Sequence, residues 1–68
     1  MRAGSSLIDK LERAEYYIVR GKVTLALRSL RSFIRQVNYL VSIGRLSQQN
    51  AGELVAGALG IIAQLTAP

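Results

Sequence analysis

Four carboxylates and a row of arginines are the residues of this chain that could do chemistry. Asp9 and Glu12 stand one helical turn apart, a spacing that would suit an acid–base pair if a cleft enclosed them. Glu15 and Glu53 complete the acidic set. The 68 residues include no histidine and no cysteine. That removes the commonest base at neutral pH, the commonest metal ligand and the thiolate nucleophile. Ser5, Ser6, Ser29, Ser32, Ser42 and Ser47 are left with no imidazole to activate them. The glycines match no phosphate-binding loop, since no strand precedes them and no Gly-Lys-Ser/Thr follows a four-residue spacer. The acids therefore read as solvated surface charges. The expectation is a non-enzyme with no catalytic residue, cofactor, metal site or small-molecule substrate.

Arg28, Arg31 and Arg35 are the stronger feature. At helical spacing they fall within a sector of about 60°. Arg45 in the turn beyond could extend the row, as could Arg20 or Lys22 in the turn before it. A guanidinium is a planar fork matched to phosphate or carboxylate. Tyr16, Tyr17 and Tyr39 could add stacking surface for bases or sugars. Such a stripe is more commonly a solubilising helix face. Its functional use would be the binding of an anionic partner. A DNA-recognition helix presents base-reading side chains near its start. Here the arginines lie mid-helix, with no Asn or Gln beside them at the start of that helix.

Three helices must position these groups. Leu7, Leu11, Ala14 and Ile18 follow one helical face, and Gly21 stops that run. Ser6 is the expected N-cap, with Asp9 completing a capping-box-like arrangement and pairing with Arg13 at i,i+4. Lys10, Arg13, Tyr17 and Arg20 lie roughly opposite the apolar stripe. Val23, Ala26, Leu27, Leu30, Phe33, Ile34, Val37, Leu40 and Val41 form a broad core-facing stripe on the second helix, which Gly44 stops. Lys22 falls at its N-cap, where Asn, Asp or Ser would serve better. Ser47 is a good N-cap for the third helix. There Ala51, Leu54, Val55, Ala58, Leu59, Ile62 and Leu65 make the expected core stripe. The spacing predicts helices over about 6–20, 23–43 and 47–65, packed as a compact antiparallel three-helix bundle in one all-α domain.

The third helix has one charge, Glu53, and three glycines, Gly52, Gly57 and Gly60. Gly52, Ala56 and Gly60, with Ala63, form a strip of small residues. A helix apolar nearly all round is buried on more than one side. Either this strip meets a second copy or a neighbouring domain, or the glycines let the first two helices pack closely.

Half the residues are apolar, and nine Lys/Arg against four Asp/Glu give a net charge of +5. Half apolar content suits a folded bundle, and the basic balance favours anionic partners without choosing among them. The apolar stretch from Leu54 to Leu65 is shorter than the roughly 20 residues a bilayer span needs. Met1 to Ser6 shows no signal-peptide pattern.

From Leu7 to Leu65 the chain resembles the FIMAH-type domain, a small helical module of bacterial secreted and surface proteins. The resemblance is carried by Leu7-Ile8-x-Lys10-Leu11 and by Gly21-Lys22. It continues through Leu27-x-x-Leu30-x-x-Phe33-Ile34-x-Gln36-Val37-Asn38, Gly44-Arg45-Leu46-Ser47 and Ile61-Ile62-Ala63-x-Leu65. The chain departs from the family in Lys22, where Asn is frequent, and in an outer face of arginine and tyrosine. Gly21-Lys22-x-x-x-Ala26-Leu27 also resembles a tetratricopeptide turn, over that turn alone. The FIMAH resemblance implies a non-catalytic accessory module of a larger extracellular or cell-surface protein. The expected mechanism is docking, to a protein partner or by self-association as a dimer: the third helix and the bundle core present an apolar surface, and the Arg28/Arg31/Arg35 face orients the partner electrostatically. The alternative is a small basic nucleic-acid-binding protein that sets the Arg28/Arg31/Arg35 face on phosphates.

Overall fold

Two glycine turns organise the chain. In the computed structural model, which describes residues 3–67, three helices follow one another: α1 (Ala3–Val19), α2 (Val23–Ser42) and α3 (Gln48–Thr66). Gly21 and Gly44 take φ of +72° and +74°, and no other described residue has a positive φ. At the first turn, the Gly21 N–H donates to the Ile18 carbonyl at 3.0 Å and the Lys22 N–H to the Tyr17 carbonyl at 2.8 Å. The Gly44 N–H to Val41 and the Arg45 N–H to Leu40, at 3.0 and 2.8 Å, repeat the pattern. These paired bonds define the Schellman motif, which satisfies the last carbonyls of a helix and reverses the chain.

The starts of α2 and α3 differ as their residues dictate. Ser47, extended at φ −72° and ψ 151°, accepts the Asn50 N–H on its Oγ at 3.1 Å. Lys22 holds the N-cap of α2 with no side-chain hydrogen bond to it. The expected start of α1 at Ser6 is corrected: the helix begins at Ala3, so Ser6 lies inside it. Serine in a helix interior costs only a fraction of a kcal/mol relative to alanine, too little to hold the boundary against continued propagation. Asp9 consequently sits a turn beyond the helix's positive end.

The fold is an antiparallel three-helix bundle with α2 in the middle. α1 packs on α2 and α2 on α3, and among the described residues the backbones of α1 and α3 do not come together. The helices form a flattened layer, 36 × 25 × 12 Å between Cα atoms. Its radius of gyration of 12.0 Å exceeds the roughly 11 Å of an ordinary globular chain of this length.

Ala26, Leu30, Phe33, Val37 and Leu40 of α2 are buried, with Ala14 of α1 and Ala51 and Ala58 of α3. Leu7, Leu11, Ile34, Val41, Leu46 and Val55 pack, partly buried, around the Phe33–Val37 centre. No polar or charged side chain is buried among the described residues. The expected stripe of α2 is therefore observed except at Val23, which is exposed at the first residue of the helix. On α1, Ile18 is exposed beside the turn.

Alanine substitution should have opposite signs at two glycines. Gly44→Ala forces a Cβ into the left-handed region and should cost about 1–2 kcal/mol. Gly57→Ala, inside α3 where an added Cβ meets no atom within 4 Å, should gain about 0.5–1 kcal/mol. Phe33→Ala should cost about 3–5 kcal/mol, enough to unfold a domain this small. Urea denaturation followed by circular dichroism reads all three.

Candidate functional site

The turn at Gly21 brings two basic helix faces together. Lys10 and Arg13 of α1 line a groove with Arg28, Ser29, Arg31, Ser32 and Arg35 of α2. The reason is antiparallel register: Arg13 and Ser29 lie equally far along the sequence on either side of Gly21, as do Lys10 and Ser32. Arg13, Arg28, Arg31 and Arg35 are exposed, while Lys10, Ser29 and Ser32 are half-buried. The groove is open to solvent along its length, so its charges act on whatever lies across it rather than on an enclosed ligand.

Each expected member of the basic set can be located. Arg28, Arg31 and Arg35 converge as their spacing requires. Arg45 is exposed in the turn between α2 and α3 and does not line the groove. The Arg20 guanidinium lies 3.7 Å from the centre of the Tyr16 ring and donates from Nη1 to the Tyr16 carbonyl at 3.4 Å. A cation held over an aromatic face is already partly satisfied. Tyr16 and Tyr17 stack edge to face at 5.5 Å. They share a shallow surface with Asp9, Glu12 and Arg13, next to the basic groove. Asp9 and Glu12 are both exposed on that open surface.

The second candidate surface belongs to α3. Of its expected core stripe, Ala51 and Ala58 are buried, and Val55, Ile62 and Leu65 are half-buried. Leu54 and Leu59 are exposed, at 36% and 52%, which corrects their expected place in the core. Among the described residues only the α2 backbone packs closely on this helix, and that cover shields a narrower arc than the apolar stripe spans. Leu54, Ala58 and Ile61 line a groove with Phe33 of α2 and Leu11 of α1. That groove is almost wholly apolar, Glu53 being its one charged residue.

Gly52, Ala56, Gly60 and Ala63 all face solvent. A Cβ built on Gly52, Gly57 or Gly60 would meet no atom within 4 Å outside the adjoining backbone of its own helix. The glycines therefore do not serve close packing of α1 or α2 against α3. Of the two readings of this strip, close internal packing is excluded and an outward-facing surface is what the fold presents.

Among the described residues no helix is long and apolar enough to cross a membrane. The chain matches no protein-family model, no curated protein and no solved structure.

Removing the Ser47 hydroxyl tests how the α3 surface is held. Ser47→Ala should cost about 1 kcal/mol through the lost N-cap. That corresponds to a fall in Tm of roughly 4–8 °C for a domain of this size. Lys22→Ser, which offers α2 the cap it lacks, should raise Tm in thermal melts.

Proposed function

We propose that this chain is a non-catalytic helical interaction module that assembles through α3, within a larger bacterial extracellular or surface protein of the FIMAH type. The observation that carries the reading is the poor cover of α3. A helix with one charged residue leaves Leu59 exposed beside the open strip Gly52, Ala56, Gly60 and Ala63, and leaves Leu54 and Ile61 exposed on the other flank of its buried stripe. Scattered single apolar residues on a surface are ordinary, whereas a contiguous face such as Leu59 with the small-residue strip marks an interaction site. The accessible area agrees. The chain exposes 4895 Å², where a monomer of its 7.4 kDa ordinarily exposes about 4200 Å².

The partner surface favoured is a second copy of the same helix. Small residues four apart let two backbones approach closely, and Leu59 beside them supplies a knob for the facing hole. Two α3 helices carry few charges to desolvate, so the contact is apolar and insensitive to salt. The catalytic alternative would need the solvent-exposed Asp9 and Glu12 to act on an open, shallow surface, which the physics of general acid–base catalysis disfavours.

Light scattering from micromolar to millimolar concentration, at low and high salt, tests this. The expected result is a dimer that strengthens with concentration and persists at high salt. Ala56→Glu, which places a charge in the middle of the strip, should return the chain to a monomer while its helical signal is kept. A monomer at every concentration, or a dimer unmoved by Ala56→Glu, would overturn the reading.

A further inference from the structure

We infer that the groove between α1 and α2 binds the sugar–phosphate backbone of duplex nucleic acid, without reading its sequence. The site comprises Lys10 and Arg13 on one helix and Arg28, Arg31 and Arg35 on the other. It is separate from the α3 surface and does not rest on the assembly proposed for it.

Four features select this ligand. First, the cations form two rows on two packed helices, whose axes lie about 8–10 Å apart in general. A duplex likewise presents two phosphate rows, edging grooves about 6 and 12 Å wide. Long arginine and lysine side chains span the difference. Second, four of the five cations are arginines, the residue whose fork engages two phosphate oxygens at once. Third, Ser29 and Ser32 line the groove with the cations, and hydroxyls are frequent donors to backbone phosphate. Fourth, neither an aromatic nor a large apolar side chain lines the groove.

That fourth feature separates the duplex from its competitors. Single strands are held largely by stacking on aromatic rings, and none is in the groove. A membrane-surface helix inserts large apolar residues beside its charges, and a protein interface centres on an apolar or aromatic core depleted of charge. The groove has neither. It also lacks Asn or Gln that could read a base edge, so contacts stay on the backbone and affinity is independent of sequence. Arg45 and the Tyr16-held Arg20 are not part of the site.

Fluorescence anisotropy of a labelled DNA duplex about two helical turns long, titrated with the whole chain between about 50 and 200 mM salt, provides the test. Each neutralised phosphate contributes about −0.9 to the slope of log K on log salt, so the five groove cations set a limit near −4.5. The triple variant Arg28→Ala, Arg31→Ala, Arg35→Ala should lose more than tenfold in affinity at low salt. Its slope should become shallower by as much as about 2.7. All three side chains are exposed, so circular dichroism should show the helices intact. The single variant Arg31→Ala should shift the slope by about 1, while Arg45→Ala, an equal change of net charge outside the groove, leaves it in place. Unrelated duplex sequences should bind alike, and a single strand of the same length more weakly. Equal losses from Arg31→Ala and Arg45→Ala would overturn the inference, since net charge alone would then explain binding. So would anionic phospholipid vesicles bound as tightly as the duplex, or a duplex affinity untouched by the triple variant.

Discussion

The buried face of α2 is the interaction on which the rest of this structure depends. Ala26, Leu30, Phe33, Val37 and Leu40 lie along one side of one helix, and both other helices lean on that side. Phe33 is the one aromatic ring among the buried residues, and with Leu30 and Val37 it makes up the bulk of the fully buried side-chain volume. The remaining buried positions are small apart from Leu40, with Ala14, Ala26, Ala51 and Ala58 allowing close approach of the helices. A core built from one helix face is economical for a short chain, but it covers its neighbours on one side only.

Both candidate surfaces follow from that arrangement. Because α2 is flanked rather than enclosed, its outward side remains in water. A row of arginines can stand there at no desolvation cost, and the matching register of α1 adds two more cations. Because α3 packs closely on the α2 backbone alone, part of its apolar circumference, Leu54 and Leu59 included, stays exposed. The basic groove and the apolar helix are thus two consequences of the same incomplete closure, one on each side of the central helix. Their chemistries do not interfere: one is open and charged, the other nearly free of charge.

Most of this architecture was legible in residue spacing. Gly21, Gly44 and Ser47 announced the turns and a cap, and the structure places each where its conformational preference or hydroxyl is used. The long stripe of α2 located the core, since a sustained 3.6-residue period over many turns has no other use in a helix. Ser6 misled because a preferred cap residue is also tolerated inside a helix. Leu54 and Leu59 misled because periodicity records which residues are apolar, not how wide an arc a neighbour covers. The convergence of Lys10 and Arg13 with the α2 arginines required the two helices to be folded against each other. It was nonetheless implied by counting outward from Gly21. The outward aspect of Gly52 and Gly60 was out of reach, because a small residue looks alike whether it admits a close neighbour or faces nothing.

The separation of the α1 and α3 backbones also governs how the chain reaches its fold. Each helix finds its partner just across a turn of three or five residues, so every packing step closes a short loop. Loop closure over such distances loses little entropy, and topologies dominated by local contacts fold fast. The energetics then resemble a short linear array, in which each helix pair adds its own interface. α2 belongs to both pairs and is the cooperative unit. α1 and α3 are the ends of the array, joined through the core that Leu7 and Leu11 of α1 share with Ala51 and Ala58 of α3.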